Sequence, residues 1–212
     1  MLITAGPTQE PIDAVRYLAN RSTGRMGIAL AEASASRGRQ TTLLLGPTPL
    51  VPKESSKLTT IRFRTTEDLQ GLLAEHWPGH DVLIMAAAVA DYRPAEPGGP
   101  SAKHKRGSGT WNLRLEPTPD LLGGLALTTR PNQITIGFAL EPADRLLASA
   151  REKLAAKSLD AIVANPLETI GSDRIGATVM LRDGRTLTPP GPECTKRQFA
   201  AWLLDQLPAI KP

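Results

Sequence analysis

The sequence predicts an α/β fold: a Rossmann-like, doubly wound, mainly parallel sheet with helices on both faces, plus a β-hairpin elaboration towards the C-terminus. Three observations predict it. Short apolar runs at 2–5, 41–45, 61–64, 81–87, 134–138 and 160–164 alternate with longer segments of helical pattern, the rhythm of βαβ units. The run at 81–87 (DVLIMAA) is apolar without alternation, as in a strand covered by helices on both faces. The first run ends at Gly6, and Gly24 and Gly27 open the next helix. Free N–H groups and the positive end of a helix dipole at such a mouth favour an anion.

In order along the chain, 2–5 is a core strand and 24–38 an Ala-rich helix stopped by Gly38. Residues 41–45 form a strand ending at Gly46 and Pro47, and 61–64 a short strand. Thr66, Glu67 and Asp68 signal the cap of a helix reaching about Trp77. Strands at 81–87, 134–138 and 160–164 follow, the last two joined by a helix over 143–157 with Lys153 and Lys157 one turn apart on one face. Residues 177–188 read as a hairpin turning at Asp183 and Gly184. A closing helix at 196–206 has its apolar face at Phe199, Ala200, Leu203, Leu204 and Leu207. There is no internal repeat, and residues 1–212 are expected to form a single domain.

Composition narrows the function. Of 212 residues, 41% are hydrophobic and 22% charged, as in ordinary globular chains able to bury a core. Net charge is +4 with 4% aromatics, a poor match to stacked nucleic acid but welcoming to small anions. No apolar run is long enough to span a membrane, and there is no basic-then-apolar leader at Met1. The one cysteine, Cys194, leaves no internal disulfide or Cys-based zinc site and reads as a bystander. A cytoplasmic protein with neither membrane nor nucleic-acid partner is expected.

Two segments break the βα rhythm. A dinucleotide-binding turn places its glycines directly after the strand, whereas here 7–23 intervene with Thr8, Glu10, Asp13, Arg16, Asn20, Arg21 and Ser22. This is read as a substrate-binding loop. Residues 93–110, dense in Pro, Gly and Ser and carrying Lys103, His104, Lys105 and Arg106, are expected to form a mobile active-site loop.

Six ordered blocks then resemble one family: ITAGPTQEPIDAVRYLANRSTGRMG at 3–27, MAAAVADYRP at 85–94, Lys-x-Lys at 103–105, EPTPDLL at 116–122, IGFALE at 136–141 and EKLAAKSLDAIVAN at 152–165. The family is that of phosphopantothenate–cysteine ligases (phosphopantothenoylcysteine synthetases), often the C-terminal half of a bacterial bifunctional coenzyme A biosynthesis flavoprotein. The resemblance implies two half-reactions. The carboxylate of phosphopantothenate attacks the α-phosphorus of CTP, giving an acyl-cytidylate and pyrophosphate; the amine of cysteine then attacks the acyl carbon and CMP leaves. Mg²⁺ is expected with the nucleotide, its protein ligands unassigned. A homodimer is expected, with 177–188 as candidate contact. No flavin is expected in this chain, and if Met1 is a true start, decarboxylation falls to a separate enzyme of the pathway.

The resemblance also implies residue roles. Asn20 contacts the acyl-cytidylate, Arg16 lies near it, and Lys103 serves its formation, with Lys105 as the alternative bearer. The nucleotide falls to Gly6, Ser22, Gly24, Met85, Ala87, Asp91, Thr118, Pro119, Asp120, Leu121, Phe138, Lys153 and Lys157. Thr118 stands where the family usually has Asn, and Leu140 and Pro142 also depart from its pattern. By residue type alone, Asn20 is a turn or cap residue, Asp91 a cap, Phe138 core, and the lysines solvated. Two other readings stay open from the residues: an NAD(P)-dependent short-chain oxidoreductase, for which no Tyr-x-x-x-Lys is present, and a non-catalytic nucleotide-binding module.

Overall fold

A computed structural model of the chain describes residues 1–96, 103–105 and 107–211. Its main sheet has eight strands: β1 (Leu2–Ala5), β2 (Thr41–Leu45), β3 (Leu58–Arg62), β4 (Val82–Met85), β5 (Ile134–Glu141), β6 (Ala161–Pro166), β7 (Thr178–Leu181) and β8 (Thr186–Leu187). They lie in the order β3-β2-β1-β4-β5-β6-β7-β8. The first six pair in parallel, and β7 and β8 join antiparallel as the expected hairpin. The parallel part therefore has the order 3-2-1-4-5-6 of a doubly wound dinucleotide-binding sheet, whose switch point lies between β1 and β4. The fold class read from the sequence is the one observed.

Among the described residues the α-helices are α1 (Arg25–Ser36), α2 (Thr66–His76), α3 (Leu121–Ala126), α4 (Leu146–Ala156), α5 (Lys196–Asp205) and α6 (Leu207–Ile210). The period of two along β1 allocates them to faces. Ile3 and Ala5 pack with Ile28 and Leu30 of α1 and with Phe199 and Leu203 of α5. Leu2 packs with Leu69 and Leu73 of α2 and with Trp77. Ala150 and Leu154 of α4 cover Ile162 and Ala164 of β6. All four residues of β1 are fully buried, as a strand with helices on both sides requires.

Local differences from the sequence reading have physical causes. The third strand is Leu58–Arg62 and not 61–64, because parallel pairing to β2 recruits Thr59 and Thr60. Thr65, not Thr66, caps α2, through a reciprocal capping box with Asp68. Two short ribbons beside the N-terminal loop were not foreseen, Gln9–Pro11 with Tyr17–Ala19 and Tyr92–Pro94 with Leu115–Pro117, nor was a third, Arg174–Ile175 with Cys194–Thr195. The short helix α3 was not foreseen either. Of the 93–110 segment, residues 97–102 and 106 lie outside the described residues.

Gly27 sets how closely α1 approaches the sheet. A Cβ there would sit 2.4 Å from Ala5 Cβ and 2.7 Å from the Thr4 carbonyl oxygen, so the helix is seated directly on β1. Gly27→Ala is expected to destabilise the protein by about 1–3 kcal/mol despite alanine's better helix propensity. Denaturant unfolding checks it, and an unchanged midpoint would refute the close-seating argument.

Candidate active site

The candidate cleft grows from the C-terminal ends of β1 and β4. Beyond β4 the chain runs through 85–91 as a floor, stitched to the continuation of β1 by four hydrogen bonds. Ala87 N donates to Thr4 Oγ1 (3.0 Å), Ala88 N to the Gly6 carbonyl (2.9 Å), Thr8 N to the Ala88 carbonyl (3.2 Å) and Ala90 N to Thr8 Oγ1 (2.9 Å). Thr8 is therefore a buried structural group rather than a substrate contact. Glu10 is likewise turned inward, accepting from Thr66 N (2.8 Å) and Thr66 Oγ1 (2.7 Å) at the N-terminus of α2. There the helix dipole favours a carboxylate. Part of the polar chemistry read as substrate-binding thus holds the loop itself.

The cleft has a volume of about 800 Å³ and crosses the upper edge of the sheet, at the switch point where such sheets take ligands. Its roof is 20–26. Asn20 lines it, with Nδ2 donating to the Val89 carbonyl of the floor (3.0 Å). Gly24 caps α1 at φ +76° with no side-chain cap, so the helix mouth is open to the cleft. That backbone conformation favours glycine. Gly24 N itself faces Ser22 Oγ at 3.4 Å.

On the α3–α4 side lie Asp91, Thr118, Pro119, Asp120, Leu121, Phe138, Lys153 and Lys157, with Met85 and Ala87 in the floor. Lys153 donates to Glu141 (2.7 Å) and Lys157 to Asp120 (2.9 Å). The Lys153 ammonium, helped by Ser149 against the effect of burial, holds the Glu141 carboxyl below its ordinary range. Burial pushes Asp120 up, but Lys157 and the Gly123 N–H outweigh it and leave the carboxyl lowered. Thr118 hydroxyl donates to the Ala90 carbonyl, and Thr118 N to the Asp91 carbonyl (3.0 Å). The threonine that replaces the family's usual residue thus spends its hydroxyl on the floor. Leu140 also lines the cleft.

Of the residues given roles by resemblance, Gly6, Arg16, Lys103 and its alternative Lys105 lie outside this lining. Gly6 stands behind it at φ +82°, giving its carbonyl to the floor. Arg16 and Lys103 are placed by a separate staple. Arg16 pairs with the buried Asp13 through Nε (3.1 Å) and Nη2, and Nη2 also donates to the His104 carbonyl (3.0 Å). Its guanidinium carbon sits 4.6 Å from the Trp111 ring centroid, and His104 stacks on that ring at 4.1 Å. His104 N donates to Asp13 Oδ2 (3.2 Å). The Arg16 side chain, together with backbone N–H donors from Val15, Arg16 and His104, holds the Asp13 carboxyl well below the usual range. Lys103 and Lys105 are exposed on the stapled segment.

Arg21, named in the loop read as substrate-binding, lines the cleft, and so do four residues not singled out from the sequence: Arg25, Asn165, Thr169 and Lys196. Asn165 ends the last of the six blocks, which is the one signal that could have found it. Its Nδ2 donates to Thr169 Oγ1 (2.8 Å). Cys194 donates weakly to the Ile175 carbonyl (3.9 Å), and burial raises its thiol pKa, consistent with a bystander. Among the described residues, no three His, Cys, Asp or Glu side chains gather as a metal site. Nor is any helix among them long and apolar enough to cross a membrane.

The family model of the DNA/pantothenate metabolism flavoprotein C-terminal domain matches residues 1–210. The chain belongs to this family. A relative named cysteine/cysteine sulfinic acid decarboxylase, from an unknown prokaryotic organism, is 43% identical over 172 residues, 81% of this chain and 47% of that protein. The coenzyme A biosynthesis bifunctional protein CoaBC of Vibrio cholerae serotype O1 is 35% identical over 193 residues, 89% of this chain and 48% of that protein. The chain thus spans about half the length of the curated relatives it matches. The crystal structure of the C-terminal domain of a CoaBC protein superposes with a TM-score of 0.80 at 34% identity, covering 99% of this chain and 93% of that one. Membership of the flavoprotein C-terminal domain family bears out the resemblance carried by the six blocks.

Proposed function

We propose that this domain joins phosphopantothenate to cysteine in coenzyme A biosynthesis, with CTP as the activating nucleotide. The observation that carries the reading is the position of Asn20. Its carboxamide is fastened to the floor at the switch point, between an open helix N-terminus and two cleft lysines. A carboxylate is a poor acyl donor, so it first attacks the α-phosphorus of CTP and pyrophosphate departs. The amine of cysteine then attacks the acyl carbon, passing through an oxyanion, and CMP leaves as the amide forms. A neutral amide donor suits that oxyanion because it adds no charge of its own. Phe138 would pack against the base and Asp91 accept from the nucleoside, while Lys153 and Lys157 exchange Glu141 and Asp120 for phosphate oxygens. The carboxylates Asp91 and Asp120 line the cleft singly, and Asp120 is already paired. This suits Mg²⁺ entering on the nucleotide phosphates, which with water supply most of its ligands.

The test is pyrophosphate release with phosphopantothenate and each of the four nucleoside triphosphates, followed by amide formation on adding cysteine. Release with CTP is the expected result. Stabilisation by NADH, or binding of CTP without turnover, would favour the oxidoreductase or the binding module.

The homodimer is part of the same proposal. The 177–188 hairpin carries none of the exposed large hydrophobic side chains, whereas Val15, Tyr17, Tyr92 and Leu115 expose theirs on or beside the two ribbons, which pack against one another. A second copy would bury this face. Tyr17→Asp combined with Tyr92→Asp is expected to shift sedimentation from dimer to monomer; an unaltered dimer would move the contact elsewhere.

A further inference from the structure

The cleft is lined from both faces of the sheet, and its cations differ between the two sides. On the α3–α4 side Lys153 and Lys157 are each neutralised by a carboxylate. On the α1–α5 side stand Arg25 and Lys196, and among the described residues neither has a carboxylate within salt-bridge distance. Each is also the first residue of its helix, and neither helix has an acidic residue in its first turn. A cation there opposes the positive end of the dipole. Lys196 is half-buried; burial first, and the Arg25 charge second, lower its pKa, with Asp173 opposing them.

The lysine is nonetheless held in place. Lys196 Nζ donates to the Thr169 carbonyl (3.1 Å), and Thr169 Oγ1 donates to the Pro166 carbonyl (2.8 Å) while accepting from the buried Asn165. Its backbone N donates to the Asp173 carbonyl (2.8 Å). An ammonium fixed over a cavity, beside a second cation and two helix N-termini, costs stability in the free protein. Such local costs are concentrated where a ligand relieves them.

We infer that Lys196 and Arg25 form a phosphoryl subsite that holds a terminal phosphate of one substrate at the α1–α5 mouth of the cleft. This rests on the proposed reaction, whose two phosphorylated substrates offer two sources of that group. One is the β,γ-diphosphate of the nucleotide, which departs as pyrophosphate; the other is the phosphate monoester of the acid. Lys196 is then a binding residue on the wall opposite the paired lysines. Its spare N–H groups meet phosphate oxygens without first displacing a carboxylate.

The test is Lys196→Gln, with Lys196→Arg as the charge-preserving control, titrated calorimetrically with inorganic pyrophosphate, CTP and phosphopantothenate. Loss of one charge-assisted contact should weaken the phosphate held there by about 10-fold to 100-fold, with Lys196→Arg retaining most of the affinity. Weakening confined to pyrophosphate and CTP identifies the nucleotide, and weakening confined to phosphopantothenate the acid. The ligand-free Lys196→Gln protein should unfold at the wild-type temperature or above it, since an unfavourable cation has gone. Unchanged affinity for all three probes would overturn the inference, and a lowered melting temperature beside it would make Lys196 a structural tether to Thr169. The titrations are read on wild type and variants whether or not CTP is turned over, so a failed reaction assay would sink the proposed function without deciding the subsite.

Discussion

Asn20→Asp is expected to lower amide formation by roughly 10²–10³-fold, the cost typical of losing one oxyanion donor, while CTP still binds. The substitution keeps the shape and removes the chemistry. Asn20 Nδ2 donates to the Val89 carbonyl; a carboxylate has no hydrogen to give there and faces that carbonyl with like polarity. It would also meet the oxyanion of the coupling step with negative charge. Neither effect touches Phe138, Lys153 or Lys157, the residues proposed to hold the nucleotide. Single-turnover formation of the amide from preformed acyl-cytidylate reads this step alone, and thermal unfolding separates it from a folding defect. A wild-type coupling rate would remove Asn20 from the mechanism.

The legibility of this molecule in its sequence follows the range of the interactions involved. Leu2–Ala5, Thr41–Leu45 and α5 announce themselves because burial repeats with the period of the backbone: every residue of a doubly covered strand, every third or fourth of a helix. Gly24 and Gly27 are readable for a similar reason, since a helix mouth needs one and close seating on β1 the other. The ribbon Gln9–Pro11 has no such period. It is three residues long, and what holds it is Glu10 reaching the start of α2 far along the chain. The helix α3 contains Gly123 and Gly124, both poor helix formers, and exists because Asp120 caps it and Leu121 is buried. Lys196 is the extreme case. In the sequence it opens an amphipathic helix like any surface lysine; its setting comes from Arg25 and Thr169, brought beside it only by folding.

Lys103→Gln should suppress pyrophosphate release from CTP and phosphopantothenate by about 10²-fold or more, because the charge that neutralises the α-phosphate in the transition state is lost. How that charge arrives is set by the staple. Lys103 precedes His104, which is held between Asp13, Arg16 and Trp111, so the backbone beside Lys103 is tied to Arg16 in one unit. That unit does not line its own chain's cleft and stands beside the exposed ribbon face proposed to receive a second copy. Lys103 would then serve the neighbour's cleft, and the consequence is measurable. A Lys103→Gln subunit paired with an Asn20→Asp subunit has one cleft carrying both changes and one carrying neither. Mixing and reassociating the two inactive proteins in equal amounts should restore about a quarter of wild-type activity, since half the dimers are hybrids with one intact site each. If Lys103 served its own cleft, every site would carry one change and mixing would restore nothing. Recovery thus places the lysine across the interface. Wild-type pyrophosphate release by Lys103→Gln alone would remove it from the chemistry altogether.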